Sequence, residues 1–505
     1  MFAQSVVAAG AFLVLSLLHR NLEPSAASGD WAQYILHAKS LVEGRGYTDT
    51  GYLFSQLNWL IGPRAYPPGL PLTLVPIVAT GSWAAPLMRL LMIVFGALFV
   101  LLAYRRLRLT VHPWIAALAA MWCGVVIELA FASVSVLSDL GFCMLTWLVI
   151  WAIDKPGVWS RRRVVLVALT GLMAMSYRVA GIALPAALMV YLTVNRRAAT
   201  RPVRVVLGVW TAVIAVAIAA APALLPNRIL APSLDQMINR VTGNLRAIRL
   251  TLVDAQAYPS SLNLLNDIYH AVATLFMIVG AIVLVRRGWR DFMVIFAAGY
   301  GLMLFVSPVG DTRYYWPLYP LVSVCILQGV ATAFGALRRP SQPRGELVAA
   351  SLAFCLIVLT PAVYRGLRAS PAPGFSDYPD AVSLSDYVKI AGERGEIRRM
   401  MFTNPRVLTL RTGVPAMGLV TARPSAVLRE LERQHVTHVS FGSFTAAGCG
   451  AASLQYAKTA YPDAFEHVAT FGRFSLERFT PPDSAALSSP RVADENPATL
   501  GLCGS

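Results

Sequence analysis

Charged side chains are scarce in this chain: they make up 14% of its 505 residues, whereas 56% are hydrophobic. Several apolar runs reach the roughly 20 residues that cross a bilayer. This composition excludes a soluble protein and predicts an integral membrane protein. Lysine is also scarce, because only four of the 43 basic residues are lysine. Such an arginine bias is typical of GC-rich genomes and indicates a bacterial origin.

The sequence also offers few cysteines for disulfides and no residue spacing typical of a metal site. Of the six cysteines, four lie in apolar runs, where they act as small hydrophobic residues. Only Cys449 and Cys503 could meet in an extracytoplasmic space, and whether they form a disulfide stays open. His435 and His438 share a short stretch without a third ligand nearby, which disfavours a zinc site.

The net charge of +17 comes mostly from arginines in short loops between apolar runs. In a soluble protein this balance would suggest nucleic acid, but here the positive-inside rule explains it, and we predict no nucleic-acid partner. The basic loops should face the cytoplasm, with their charges lying freely in the loops. These loops contain Arg105, Arg106 and Arg108; Lys155 and Arg161 to Arg163; Arg196, Arg197, Arg201 and Arg204; Arg286, Arg287 and Arg290; Arg338, Arg339 and Arg344.

The apolar segments predict an all-α polytopic membrane protein with about eleven spans. The first could also be a signal peptide, but it lacks a basic n-region and many spans follow. With the basic loops inside, the N-terminus is cytoplasmic and the C-terminal part lies outside the membrane. The segments fall at about 2–19, 84–104, 113–132, 136–153, 163–177, 180–194, 204–222, 268–285, 291–306, 315–334 and 346–363.

Residues 1–363 form the predicted transmembrane module, with outer loops at 20–83 and 223–267. Within the first loop, the stretch 67–79 is apolar but too short for a crossing, which favours an interfacial or re-entrant helix. Apolar residues along Trp31 to Glu43 recur at helical spacing and predict a short surface helix.

The remainder of the chain is more polar and predicts a small extracytoplasmic α/β domain at 364–480, followed by a disordered tail at 481–505. An amphipathic helix is expected at about 424–434. Alternating patterns predict strands at 400–402, 407–410, 438–441 and 474–479.

Ionisable residues accumulate at the outer ends of the spans. Asp30 lies in the first outer loop, and Glu128, Asp139, Arg178 and Arg313 fall on the same side. A charge beside hydrocarbon is costly unless it is paired or solvated, so this one-sided set predicts a polar cavity at the outer face. Carboxylates can accept a proton from a hydroxyl, and arginines can hold a phosphate leaving group.

A set of short motifs follows in order along the chain. Together the motifs resemble the C-type (GT-C) integral-membrane glycosyltransferases, and in particular the bacterial dolichyl-phosphate-mannose-protein mannosyltransferase-like and aminoarabinose-transferase-like group. The resemblance covers nearly all of residues 1–363. The motifs are the Asp30 loop with Gly44-Arg45-Gly46-Tyr47, Arg64-Ala65-Tyr66-Pro67-Pro68-Gly69, Ser138-Asp139-Leu140, Tyr177-Arg178-Val179-Ala180-Gly181, and Arg313-Tyr314-Tyr315-Trp316-Pro317.

The resemblance implies inverting transfer of a sugar from a polyprenyl-phosphate donor to an acceptor hydroxyl, on the outer face of a bacterial inner membrane. It implies Asp30 as general base and Asp139 as a second carboxylate near the acceptor or a metal. Many relatives have Asp-Glu where this chain has Asp30-Trp31, so the acceptor, which can be a glycan, a lipid or a protein, stays open, as does a divalent metal. The residues implied to hold the lipid phosphate are Arg64, Tyr66, Arg178, Arg313 and Tyr314.

Each candidate has a structural alternative. Asp30 could cap the helix that follows it, Arg178 could extend to the lipid headgroups, and Arg313 could pair with Asp311. His37 is expected on the solvated side of its helix. For the whole chain, the alternatives are a transporter or lipid flippase, for which inverted repeats are expected but not seen, and a non-catalytic scaffold.

Overall fold

The computed structural model describes residues 9–10, 12–13, 16, 29–55, 57, 62–81, 85–125, 135–196, 200–220, 238, 242, 263–305, 312–336, 374–442, 444 and 449–483. Glu128, Asp311, most of the predicted span 2–19, all of 346–363 and most of the outer loop 223–267 lie outside these residues. The chain divides into two compact units. One comprises Met1–Arg20, Pro67–Leu70 and Arg89–Ala369, and the other comprises Asn21–Tyr66, Pro71–Met88 and Ser370–Ser505.

Helices make up most of the described chain, and each predicted apolar segment between 84 and 334 coincides with a helix over its described part. In chain order the helices are α1 Asp30–Val42, α2 Gly69–Val78, α3 Ala85–Leu107, α4 Pro113–Val125, α5 Ser138–Asp154, α6 Arg161–Tyr177, α7 Ala183–Val194, α8 Arg201–Ala220, α9 Asn263–Gly288, α10 Phe292–Phe305, α11 Tyr319–Ala336, α12 Pro379–Glu393, α13 Pro405–Thr412, α14 Pro424–Arg433 and α15 Cys449–Ala460.

Within the described part of the chain, three helices are long and apolar enough to cross a membrane, by length and composition: Ala85–Leu107, Asp267–Gly288 and Arg313–Phe334. Shorter apolar helices include Gly69–Val78 and Phe292–Phe305. The total of about eleven spans stays a prediction, because it includes segments outside the described residues. The short helix expected after Asp30 is confirmed as α1, but its expected surface position was wrong, because the residues from Trp31 to Ala38 are all buried.

In the first unit, helices α9 and α11 pack closely through small residues. A side chain on Gly280 would clash with the backbone of Cys325, and one on Gly329 would clash with the backbone of Phe276. Two glycines facing opposite helices let the backbones approach, which is a common way for helices to associate in a membrane.

A buried ionic group joins three helix ends of the first unit; we call it the Arg106 node. Arg106, which is 1% exposed, donates from Nε to Asp154 Oδ2 at 2.6 Å and from Nη2 to Asp291 Oδ2 at 2.8 Å. Asp154 also accepts from the backbone N–H groups of Phe292 (2.8 Å) and Met293 (3.0 Å) at the start of α10. The expectation that cytoplasmic charges lie freely in loops was therefore wrong for Arg106.

A six-stranded sheet forms the centre of the second unit, in the order β1-β3-β2-β4-β6-β5. β1 through β4 pair in parallel, whereas β6 is antiparallel to both β4 and β5. Apolar residues such as Met401, Val427 and Val439 form the core between the sheet and its helices. The strands are β1 Tyr52–Leu53, β2 Met400–Met401, β3 Ala416–Met417, β4 His438–Phe441, β5 Phe465–Phe471 and β6 Phe474–Phe479.

The strand predicted at 407–410 was wrong, because this segment lies inside helix α13. Pro405 occupies the first turn, where its missing N–H costs nothing, and Gly413 ends the helix with φ +75°. These signals for the start and end of a helix prevail over the alternating pattern of Val407, Leu408, Thr409 and Leu410, which favours a strand. The strands at 400–401, 438–441 and 474–479 and the helix at 424–433 are confirmed.

The edge strand β1 belongs to the first loop, far from the other strands in sequence. Tyr52 pairs with Ala416, and the backbone N–H of Ala416 donates to the carbonyl of Gly51 at 3.0 Å. Helix α13 lies beside α1 in the same unit. The first loop and the C-terminal part of the chain therefore build one structure.

Candidate active site

Asp30 lies in the first turn of α1, and its carboxylate receives two hydrogen bonds from distant parts of the second unit. The hydroxyl of Tyr66 donates to Oδ1 at 2.6 Å, and Nη1 of Arg406 donates to the same oxygen at 2.8 Å. We call these three residues the Asp30 cluster. The Asp30 side chain is 23% exposed, against 9% for Arg406. The carboxylate is thus held in a fixed orientation and still reachable.

Tyr66 is a permanent donor in this cluster. It is buried, and burial together with the nearby Asp30 carboxylate raises its pKa well above the usual value, with Arg406 opposing the shift. The phenol therefore stays protonated. The backbone of Tyr66 is held by the hydroxyl of Tyr47, which donates to the Tyr66 carbonyl at 2.8 Å. The ring of Tyr66 packs edge-on against that of Tyr34, with 5.3 Å between the ring centroids.

Arg406 reaches Asp30 from helix α13, and a glycine makes room for it. A Cβ atom on Gly29 would lie 2.7 Å from Arg406 Nε and 2.6 Å from Asn404 Oδ1. Gly29 is also the N-cap of α1, a position where a side-chain oxygen is common. Here the backbone without a side chain lets the guanidinium approach the carboxylate.

Asp30 is not the N-cap of the helix that follows it, which was the structural alternative to a catalytic role. Gly29, not Asp30, is the N-cap, and Asp30 is the first helical residue. An acidic residue in the first turn is favoured by the helix dipole, which adds to the stabilisation of the ionised carboxylate. The dipole and the two donors therefore both favour the charged form.

His37 is completely buried, so its expected position on a solvated face was wrong. Its Nδ1 lies 2.7 Å from the carbonyl oxygen of Tyr47, and its Nε2 lies 3.1 Å from the amide nitrogen of Gln33. Because a carbonyl only accepts, Nδ1 carries the proton and Nε2 accepts from Gln33. Burial lowers the pKa of His37 to about 4, so the ring is neutral. Gln33 also donates to Thr50 at 3.1 Å, which ties α1 to the loop after it.

A second polar group lies in the first unit and contains Arg178, Asp139, Tyr314 and Arg313; we call it the Arg178 cluster. Nη1 of Arg178 forms an ion pair with Oδ1 of Asp139. The Arg178 guanidinium also lies over the ring of Tyr314, 4.3 Å from its centroid, and that of Arg313 lies 5.9 Å from the same centroid. Two guanidinium groups thus share one aromatic ring.

The surrounding helices hold this cluster rigidly. Asp139 is in the first turn of α5, and Arg178 is the residue that ends α6. Tyr314 lies in the 3₁₀ segment Thr312–Leu318, whose backbone accepts two side-chain hydrogen bonds from neighbouring helices. One comes from the hydroxyl of Tyr300 to the Tyr314 carbonyl at 2.8 Å, and the other from the indole of Trp147 to the Pro317 carbonyl at 2.9 Å.

The predicted site residues thus fall into two groups and one separate residue. Asp30 and Tyr66 come together in the second unit. Asp139, Arg178, Arg313 and Tyr314 come together in the first. Arg64 is exposed in the 3₁₀ turn Pro63–Ala65 and is in neither group.

Sequence reasoning missed Arg406, which directly precedes the segment 407–410 that was predicted to be a strand. Its neighbours Asn404 and Pro405 mark a helix start, and that signal would have placed Arg406 on a helix. No local pattern links a residue near 400 to one near 30. A metal site is equally without support in the described ranges, where no three histidines, cysteines or carboxylates are grouped to hold an ion.

No family model matches the chain, and no curated protein matches it. Solved structures do. The archaeal oligosaccharyltransferase AglB from Archaeoglobus fulgidus, in complex with an inhibitory peptide and a dolichol-phosphate, is similar at a TM-score of 0.59 with 13% identity over 97% of this chain and 75% of that one. The same organism's oligosaccharyltransferase tethered to an acceptor peptide is similar at 0.56, with 12% identity over 95% and 74%.

ArnT from Cupriavidus metallidurans bound to undecaprenyl phosphate has a TM-score of 0.48 and 14% identity over 96% of this chain and 99% of that one. At such identities, the AglB structures establish the fold alone. The chain has the fold of the GT-C glycosyltransferases, as its motifs predicted.

Proposed function

We propose that the protein is an inverting glycosyltransferase that moves a sugar from a polyprenyl-phosphate donor to an acceptor hydroxyl. The observation that carries this proposal is the Asp30 cluster, in which Tyr66 and Arg406 hold one carboxylate oxygen at 2.6 and 2.8 Å. The GT-C fold supports it. One AglB structure holds a dolichol-phosphate, which is a lipid phosphate of the class proposed for this chain.

Asp30 acts as the general base. The acceptor hydroxyl gives its proton to the carboxylate of Asp30 while its oxygen attacks the anomeric carbon of the sugar. The bond between that carbon and the phosphate oxygen breaks, and the electron pair leaves with the lipid phosphate. Attack and departure occur on opposite faces, so the anomeric configuration inverts. Arg406 and Tyr66 keep the base ionised and aimed before the reaction.

Arg178 and Arg313 hold the lipid phosphate and stabilise the charge that it gains as it leaves. A guanidinium can donate two parallel hydrogen bonds to phosphate, and here Asp139 and the ring of Tyr314 fix the orientation of Arg178. In this assignment Asp139 is a positioning residue, because its partner in the structure is Arg178. Tyr314 is the platform that the two arginines share, and Arg64, in an exposed turn, supplies further positive charge for the same phosphate.

The topology derived from the basic loops puts both clusters on the outer side of a bacterial inner membrane. The extracytoplasmic assignment of residues 364–480 belongs to the same proposal. Since Arg406 comes from that region and Asp30 from the first loop, the domain supplies part of the catalytic group. The acceptor, whether glycan, lipid or protein, is the partner of this face.

The test is transfer of labelled sugar from a polyprenyl-phosphate donor by membranes that contain the full chain or Asp30→Asn. The amide keeps the size of the side chain but cannot take a proton, so we expect the rate to fall roughly 10²- to 10⁴-fold. Asp49→Asn is the matched control, because Asp49 is an exposed carboxylate of the same loop, and we expect it to retain transfer. Equal rates for the two variants would remove Asp30 as the base.

A further inference from the structure

An apolar groove opens between helices α7, α9 and α10 of the first unit, with a volume of about 730 Å³. Ile182 and Met303 line one end, and Val190, Val285 and Trp289 line the other. Its floor consists of small residues, among them Ala298. The lining side chains are aliphatic apart from Trp289, so the surface of the groove is almost entirely apolar and suits a hydrocarbon chain.

The length of the groove matches one leaflet of a bilayer. Along α10 the lining runs from Val294 to Met303, which at about 1.5 Å per residue is roughly 13 Å. The hydrocarbon core of a bilayer is about 30 Å thick, so one leaflet is roughly 15 Å. A single acyl chain can therefore extend along the groove from one side of the membrane without crossing the midplane.

The two ends of the groove differ in charge. Arg286 and Arg287 directly follow Val285, and Arg290 follows Trp289. All three arginines are exposed, and the described residues place no carboxylate in an ion pair with them. The Arg290 guanidinium lies 4.9 Å from the centroid of the Trp289 ring. The opposite end, at Ile182 and Met303, is apolar.

A hydrogen bond holds the basic end together. The side chain of Asn195, at the end of α7, donates to the carbonyl of Arg290 at 2.8 Å. This bond places exposed Arg196 on the same side as Arg290 and closes the groove between α7 and α10. The arrangement is a basic pocket between membrane helices, which is a known kind of site for anionic lipid headgroups.

We propose that the groove binds one acyl chain of an anionic phospholipid, whose headgroup phosphate rests on Arg286, Arg287 and Arg290. By the positive-inside rule, this lipid belongs to the cytoplasmic leaflet. The site is independent of the glycosyltransferase proposal, which puts the donor phosphate on Arg178. The charge and the length of the groove favour this occupant. The groove spans one leaflet, and its headgroup end carries three exposed arginines, while the neighbouring Asp291 is paired with Arg106.

The experiment uses the full chain reconstituted in nanodiscs that contain zwitterionic phosphatidylcholine and a minor fraction of phosphatidylglycerol with a photo-activatable acyl chain. After irradiation, peptide mass spectrometry measures the labelled lipid on α7 and α10. We expect labelling within the groove. Substituting all three arginines with glutamine (R286Q/R287Q/R290Q) should lower it by on the order of 100-fold, since each arginine near the surface contributes about fivefold.

Two variants separate charge from space. R105Q/R161Q/R162Q removes three exposed arginines from other basic loops and should leave labelling unchanged. Ala298→Trp fills the groove but keeps every arginine, and should abolish labelling of α7 and α10. Size-exclusion profiles and melting curves show whether the variants are folded.

Three outcomes would overturn the proposal. One is an equal effect of the two triple arginine variants, which would show that the headgroup does not rest on Arg286, Arg287 and Arg290. Another is equal labelling by photo-activatable phosphatidylcholine, which would make the groove unselective. The third is loss of labelling when a polyprenyl phosphate is added, which would assign the groove to the donor's chain. A failure of Asp30→Asn to impair transfer would leave this result untouched.

Discussion

The Asp30 cluster and the Arg106 node both join a carboxylate to an arginine at nearly the same distance, yet they differ in what remains accessible. Asp154 is 6% exposed, and its two oxygens accept from Arg106 and from two backbone N–H groups at the start of α10. Asp30 is 23% exposed, and the two donors from Tyr66 and Arg406 both go to Oδ1. The Asp154 carboxylate is buried by the contacts that hold helix ends together, whereas the Asp30 carboxylate is held in one orientation and remains partly exposed.

This difference suggests how a structural ion pair can be told from one in the proposed catalytic role. A buried pair whose atoms are fully engaged holds helix ends together, and its loss leaves a charge without compensation. A partly exposed carboxylate that accepts from oriented donors is held in position, and its loss should lower activity more than stability. Four variants test the contrast, from the largest expected effect to the smallest.

Asp154→Asn should produce the largest loss of stability. The amide leaves Arg106 buried without its main counter-charge, so the free energy of unfolding should fall by about 3–5 kcal/mol. Thermal melting of the purified protein in detergent measures this. Asp30→Asn, which changes a more exposed carboxylate, is the comparison and should melt close to the unchanged protein. If Asp154→Asn melted no lower than Asp30→Asn, the Arg106 node would not be structural.

His37 makes the stability of the Asp30 region depend on pH. Its folded pKa of about 4 lies below the usual 6.5, so the neutral ring stabilises the fold fully above pH 6.5. As the pH falls from 6.5 to 4, protonation of the unfolded chain removes on the order of 3 kcal/mol. Melting curves of His37→Gln should show a smaller fall over this window.

The control for that measurement is His467→Gln, which changes an exposed histidine of β5. Its melting temperature should follow the same acid dependence as the unchanged protein. A full acid dependence in His37→Gln would mean that other groups cause the loss. In that case His37 would not be the buried neutral ring that makes the stability of this region depend on pH.

Arg406→Gln should reduce sugar transfer by roughly 10- to 100-fold, because losing a residue that orients a reacting group by a hydrogen bond has effects of this size. Without the cation the carboxylate is protonated more readily, so the acidic limb of the pH–rate profile should move to higher pH. Arg398→Gln changes an exposed arginine of the same region and should do neither. A lower rate with an unmoved acidic limb would mean that Arg406 acts only on the fold.

Gly29→Ala should have the smallest effect, a roughly tenfold loss of transfer, because a misplaced group costs rate without removing it. The new Cβ would meet Arg406 Nε at 2.7 Å and push the guanidinium away from Asp30. Gly46→Ala is the matched control, since a Cβ there meets nothing within 4 Å. Rates equal to the control would show that Arg406 can shift without consequence.

Local sequence patterns predicted much of the fold. Apolar run length placed the helices between 84 and 334, and helical spacing placed α1 and α14, because burial along a single helix depends on residues a few positions apart. The same local reasoning failed at 407–410, where end signals compete with alternation. It also failed for His37, whose burial is due to Tyr47 and the loop behind it.

The sequence by itself determined a helical chain with membrane-spanning composition and predicted the GT-C fold, with Asp30 in an early loop before a short helix. Only the tertiary structure decided which charges meet. Arg406 reaches Asp30 across 376 positions, Arg106 joins Asp291 across 185, and Asp139 pairs with Arg178 from another helix. Such pairs depend on how whole elements pack, and a packing contact leaves no periodic signal in the chain. Composition and spacing therefore indicated the kind of chemistry to expect, and packing decided which residues contact Asp30.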